Sequence, residues 1–272
     1  MKTSRIKQIP LSVLGVILLA IMLFPVYWMV NSSFQSNVGV ANATAFFPTN
    51  PTFSGYEVAI SQQSGHLLTS LVVALGSMVL TLVIAAPAAY ALATFKLRWM
   101  GGVLIALLIS QMIPGIVIAN AIYTAFNDVG LLNSIPGLVL ADASVSIPFA
   151  ILILRAFMTS LPPSLVEAAW VDGAGHLRAF VSIVLPISRN AIVTAALFSF
   201  LFAWSDFLFA LTLTNGTVVE PVTLGIYGYL SADIKLWGPV MATSVLASIP
   251  AVVMLIFAQR YIAAGALGGA VK

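Results

Sequence analysis

The sequence predicts an all-α integral membrane protein with six transmembrane helices and a polar stretch between the fourth and fifth. Three observations predict it. Of 272 residues, 61% are hydrophobic and only 7% charged, and the mean hydropathy is +1.08, a balance foreign to water-soluble domains of this size. Apolar runs long enough to cross a hydrocarbon core, roughly 20 residues at about 1.5 Å each, recur along the chain. The alternation of about 10 residues that marks a membrane β-barrel is missing, so helices that satisfy their own backbone amides are the spanning solution. With no cysteine, disulfides and thiolate metal sites are excluded.

In order, a basic head (Lys2, Arg5, Lys7) precedes a first span over about 11–30. No small-residue cleavage site follows it, so it reads as a retained span rather than a signal peptide. Residues 32–65 form a polar loop with a short helix near Tyr56 to Ile60. The next spans cover about 67–93, 101–126 and 138–158. The polar stretch occupies 160–188, and further spans cover about 191–213 and 240–262. The loop from Asn215 to Pro239 separates the last two. The whole chain is expected to form one transmembrane domain.

Lys2, Arg5, Lys7, Lys96, Arg98, Arg155, Arg178, Arg189, Arg260 and Lys272 fall on one side of this arrangement, and Lys235 alone falls on the other. The asymmetry orients both termini and the 160–188 stretch to the cytoplasm. Glu57, Asp128, Glu220 and Asp233 then face outward. The net charge of +3 follows from topology and calls for no nucleic-acid partner. Pro25, Pro87, Pro114, Pro148 and Pro250 lie within spans, as kinks in packed helices or as hinges around a pathway.

Within 160–188, Pro162 and Pro163 stop the fourth span, and Ser164 with Glu167 reads as a capping box opening a short helix. Asp172-Gly173-Ala174-Gly175 reads as a turn. A second short helix starts near His176, carries Arg178 and ends at Leu185-Pro186. Ala168 and Ala169 leave the surface of the first helix open to close approach. The product is a helix, turn, helix outside the bilayer, suited to a cleft on a cytoplasmic partner or serving only as a connection.

The spacing Glu167-Ala168-Ala169, three residues, Gly173, nine residues, Ile183, one residue, Leu185-Pro186 resembles the EAA loop of permease subunits of binding-protein-dependent ABC importers. FPVYWMVNSSFQ, NPTFSGY, AAYALATFKL, GLLNSIPGLVL, FAWSDFLFALTLT and QRYIAAGALGGAVK extend the resemblance over most of the chain. They are similar to the carbohydrate branch, and within it to the maltose-type second permease. Departures are Ala121-Ile122-Tyr123, where many relatives carry Pro-Leu-Tyr, and Ser205-Asp206, where Asn-Glu is common.

The resemblance implies a heteromeric importer in a prokaryotic cell membrane. A second homologous permease, a cytoplasmic ABC ATPase dimer, an extracellular or periplasmic solute-binding protein, a sugar substrate and membrane lipid would be its partners. The 160–188 stretch would be the coupling-helix loop, with Glu167, Ala168, Ala169, Asp172, Gly173 and Arg178 docking on the ATPase. The sequence has no GxxxxGK[ST] phosphate loop. ATP and Mg2+ would therefore be bound by partner subunits, with no cofactor and no catalytic site in this chain.

Asp206, beside Trp204 and Ser205, lies inside a span, where a carboxylate costs about 2.5–3.5 kcal/mol on insertion scales. It reads either as a lining of the pathway for sugar hydroxyls and faces or as a polar group at the permease contact or holding a helix. Gln111, Asn120 and Tyr123 are weaker candidates of the same kind. By analogy with maltose-type relatives, Asn215, Gly216 and Thr217 are candidates for contact with the solute-binding protein. His66 and His176 lack ligand-spaced companions, so no metal site is expected. Alternatives are an ABC importer of a polyol, phosphodiester or other small solute, and a secondary transporter, for which repeat symmetry and an acidic coupling-ion cluster are lacking.

Overall fold

The computed structural model describes residues 5–35, 46–48, 50–95, 98–216, 218–231 and 237–270. Every regular element among them is helical. They are α1 (Arg5–Ser33), α2 (Ser54–Thr94), α3 (Met100–Ser110), α4 (Gly115–Val129), α5 (Ile135–Thr159) and α6 (Pro163–Val171). Next come α7 (His176–Ile187), α8 (Arg189–Trp204), α9 (Leu208–Leu213), α10 (Val222–Ser231) and α11 (Trp237–Ala270). Stretches of α1, α2, α5 and α11 are each long and apolar enough to cross a membrane. Counting each of the bent pairs α3–α4 and α7–α8 as one span brings the number to six.

Several expected boundaries change. The short helix near Tyr56 is the start of α2, whose 41 residues span about 60 Å at ~1.5 Å per residue. The third span is not continuous: α3 and α4 meet at 97°, because Pro114 is extended (ψ 133°) and cannot donate into the preceding turn. The other prolines lie inside unbroken helices, so only Pro114 marks a sharp hinge. The fifth span also breaks, at 205–207, without a proline. The helix after His176 does not end at Leu185-Pro186. It winds as a π-helix over Phe180–Val184, continues to Ile187, and turns 80° into α8. The loop after Asn215 contains α10.

The chain divides into two compact units, one of residues 1–64 and 226–249, the other of 65–225 and 250–272. In the first, α1 leaves its apolar side chains from Val13 to Val26 uncovered; Met22 is 76% exposed. The polar end of α1 is the buried part, with Ser32 and Ser33 enclosed. Ser33 Oγ shares a hydrogen bond with Tyr56 OH at 2.7 Å, and Phe34 packs edge-on against Phe53 at 5.5 Å. The Phe34 carbonyl accepts the Thr52 N–H at 2.8 Å. Here FPVYWMVNSSFQ and NPTFSGY interlock. A Cβ at Gly55 would lie 2.9 Å from the Gly238 carbonyl, so glycine there allows two backbones to touch.

The second unit has two apolar clusters. One joins Ala85, Ala89 and Tyr90 of α2 to Ile151, Leu154 and Met158 of α5, Phe180 and Val184 of α7, and Ala191 and Ala195 of α8. Alanines one turn apart let these helices approach closely, the usual route to association where no hydrophobic drive separates helix from lipid. The other joins Val73, Ala119, Leu138, Ala141, Phe209, Leu213 and Val219.

Candidate functional site

The Pro163–Ile187 segment is built by local rules. Pro162 is extended and Pro163 opens α6 with the φ that a helix needs. The expected capping box is absent: Pro162 occupies the N-cap and no side chain caps the helix. Ser164 therefore lies inside the first turn, where its hydroxyl is displaced from the capping position. The turn forms as expected. Gly173 adopts φ +81°, and the Ala174 N–H donates to the Ala169 carbonyl at 2.9 Å, closing the C-terminus of α6 in a left-handed glycine cap.

Aromatic contacts hold the two short helices together and to α2. The His176 ring stands edge-on to Trp170 at 4.9 Å and lies 5.1 Å from Phe95, so this histidine is a packing residue. Tyr90 of α2 lies 5.0 Å from Phe180. A cavity of about 410 Å³ opens between α6 and the ends of α2 and α5, with Tyr90, Thr94, Met158, Glu167 and Trp170 among its walls.

Glu167, Ala168, Asp172, Gly173 and Arg178 are exposed together on this segment. Ala169 is not: it is 5% exposed and faces inward, so only Ala168 offers the open small surface expected of the pair. Neither Asp172 nor Arg178 forms an ion pair among the described residues. The sequence reading missed Val171 and Leu177, which are 89% and 75% exposed. Two large aliphatics on either side of the glycine turn thus form an exposed apolar patch among the described residues. Their signal was apolar side chains beside a turn of four small or acidic residues.

The span residues assemble differently from expectation. Asp206 sits in the 205–207 break, and its carboxylate accepts the N–H groups of Phe209 at 3.2 Å and Ala210 at 2.9 Å. It thus caps α9, and the Thr223 hydroxyl donates to its backbone carbonyl at 2.7 Å. Trp204 is buried and stacked on Phe200 at 5.6 Å, so it does not join Asp206 in an exposed sugar-stacking surface. Ser205 is exposed, its hydroxyl donating to the Leu201 carbonyl at 2.7 Å.

Asp142 of α5 was also missed. It is buried and interacts electrostatically with Asp206. Gln111, at the α3–α4 break, donates to the Val145 carbonyl at 3.3 Å, and a Cβ at Gly115 would lie 3.1 Å from Leu208. Both helix breaks therefore meet the middle of α5. Asn120 and Tyr123 share an exposed face of α4 away from this node.

Asn215 and Gly216 are exposed beyond α9, with Gly216 left-handed at φ +69°; Thr217 lies outside the described residues. His66 Nε2 lies 3.5 Å from Glu220 Oε2, so this histidine pairs with a carboxylate. Among the described residues no group of three or more His, Asp or Glu side chains is placed to hold a metal.

Comparison with known proteins covers most of the chain. The diacetylchitobiose uptake system permease protein of Streptomyces coelicolor is 31% identical over the full length of both chains. The trehalose transport system permease protein of Mycobacterium tuberculosis is 31% identical over 96% of each chain. The trehalose/maltose transport system permease protein of Thermococcus litoralis is 30% identical over 100% of this chain and 99% of its own. The fold is shared with a bacterial ABC transporter involved in the import of the acidic polysaccharide alginate, at TM-score 0.79 and 21% identity over 96% of this chain and 98% of the other. Residues 82–266 match the family of binding-protein-dependent transport system inner membrane components, and the chain belongs to that family.

Proposed function

We propose that this chain is a permease subunit of an ATP-driven importer of a sugar or oligosaccharide, and that Pro163–Ile187 is the element by which a partner ATPase drives it. One observation carries the reading. Glu167 and Ala168 of the Glu-Ala-Ala motif and the left-handed turn at Gly173 stand exposed on a short helical hairpin packed onto α2 and α8. A rigid, solvent-facing hairpin fixed to spanning helices is what a cleft on another protein can grip and move.

The relatives named for diacetylchitobiose and trehalose uptake support the solute class. The basic residues Arg98, Arg155, Arg178 and Arg189 support a cytoplasmic placement of the hairpin and of both termini. A cytoplasmic ATPase dimer would bind ATP and Mg2+, a second related permease would complete the pathway, and a solute-binding protein would deliver the sugar. The uncovered apolar side of α1 suits lipid or that second permease. Closure of the ATPase pulls the hairpins together, and rigid-body rocking of the spans converts this into outward opening.

Hydrolysis and transport by the purified assembly, with and without its binding protein, test the reading in the native chain and in Glu167→Lys and Gly173→Pro. Stimulated hydrolysis and uptake should collapse in both variants while helical content by circular dichroism is kept. Normal coupling in both variants would show that this hairpin is not the driven element, and uptake without any ATPase would point to a secondary transporter instead.

A further inference from the structure

The turn between α4 and α5, GLLNS, reaches the start of the α9–α10 loop through one residue. Asn133 has φ +54°, and it is the one non-glycine residue with positive φ among the described residues. Asparagine tolerates this left-handed region better than most side chains. In this conformation its N–H donates to the carbonyl of Leu213, the last residue of α9, at 2.9 Å. Its Oδ1 accepts the N–H of Asn215 at 2.6 Å. The turn presenting Asn133 is itself tied down. Ser134 Oγ donates to the Leu131 carbonyl at 2.7 Å and accepts the Gly137 N–H at 3.1 Å.

The far end of the same loop is also held. The Val222 N–H donates to Ser70 Oγ at 2.8 Å, Glu220 lies against His66, and Val219 is buried in the cluster with Val73 and Leu138. Between these ties Val218 is 79% exposed, beyond the left-handed Gly216. The tip is thus an exposed apolar residue on a short loop anchored on both sides. A contact ordered in advance loses less conformational freedom when it binds.

We propose that Asn133 is a positioning residue for the interface with the solute-binding protein, fixing the direction in which the tip around Gly216 and Val218 meets that protein. The proposal rests on reading this loop as receptor-facing. Asn133 touches neither receptor nor solute; it acts through the backbone of Asn215.

Two variants separate its contributions. Asn133→Gly keeps the left-handed backbone and the N–H to Leu213 and removes the Oδ1 acceptor. Asn133→Asp keeps an acceptor in the same place. The chain has no cysteine, so a nitroxide on Val218→Cys, in an assembly with cysteine-free partners, reports the tip alone. The label should gain mobility with Asn133→Gly and not with Asn133→Asp. In the unlabelled assembly, the concentration of the importer's own binding protein giving half-maximal ATPase stimulation should rise about three- to tenfold for Asn133→Gly, the range for losing one hydrogen bond. The maximal stimulated rate should hold, whereas a generally destabilised assembly would lose it. Unchanged mobility with Asn133→Gly, or an equal gain with Asn133→Asp, overturns the positioning role. A loosened tip with no change in half-stimulating concentration overturns the receptor reading instead, so the two failures are told apart.

Discussion

Arg155 donates from Nε to the backbone carbonyl of Leu92 at 3.2 Å. Leu92 is in the last turn of α2, where carbonyls have no partner within the helix, and the guanidinium also meets the negative end of the α2 dipole. Its Nη2 reaches Met100 Sδ at 3.5 Å, so one side chain bridges α5, α2 and α3. Arg155→Ala should destabilise the chain by about 1.5–3 kcal/mol, as for lost hydrogen bonds from charged donors. Arg155→Lys, which keeps the charge and one donor, should cost less. Thermal unfolding in detergent checks both, and a native Tm for Arg155→Ala would show that the bridge contributes nothing.

Gly137 shows why a small residue is required in the first turn of α5. An added Cβ would lie 2.2 Å from the Leu131 carbonyl oxygen and 3.0 Å from Ser134 Oγ; the first is backbone and cannot swing away. Gly137→Ala is expected to cost about 1–3 kcal/mol or more, the scale of overpacking. Gly65→Ala is the control. It lies within α2 with nothing inside 4 Å of a Cβ, and helix propensity predicts a gain of up to about 1 kcal/mol. Opposite shifts in Tm for these two changes are the expected result.

The membrane class and the EAA segment were legible because composition and a spaced motif carry them without reference to packing. Gly173 was read correctly because a left-handed turn leaves a local trace, a glycine after an acidic C-cap. The break at 205–207 was not legible. It depends on Asp206 giving its carboxylate to the amides of α9, and in sequence such a residue looks the same as one lining a pathway. Asp142 was invisible for a related reason: in ADASVS its neighbours are small, and nothing local says that the carboxyl is buried. Asn133 likewise acquires its role only when Asn215, distant in sequence, is brought beside it.

Asp142 and Asp206 should behave as a coupled pair. Asp206→Ala removes the cap on α9 and should cost about 0.5–2 kcal/mol, while Asp206→Asn keeps one acceptor and should cost less. Asp142→Asn replaces a buried titratable carboxyl with a neutral group of the same shape, and should raise Tm or leave it unchanged. In the double-mutant cycle of Asp142→Asn with Asp206→Asn, an electrostatic interaction between the two should appear as a deviation from additivity of about 0.5 kcal/mol or more. Additive effects would mean that the two carboxylates do not sense each other.

At Gly173 space and backbone conformation can be separated. An added Cβ would meet nothing within 4 Å, yet φ is +81°, so Gly173→Ala meets no clash and carries only the left-handed penalty of about 1–2 kcal/mol. Because the turn is exposed, the chain can relieve this by opening the turn and shifting α6 against α7 at little cost to global stability. Coupling should therefore fail before folding does. Gly173→Asn, which tolerates the left-handed region, should retain more binding-protein-stimulated hydrolysis than Gly173→Ala, and Gly173→Val should retain least because its branched side chain adds to the penalty. Tm should vary little across the three. If all three variants stimulated like the native chain, the turn geometry would be dispensable for docking, and the exposed pair Val171 and Leu177 would become the first residues to test in its place.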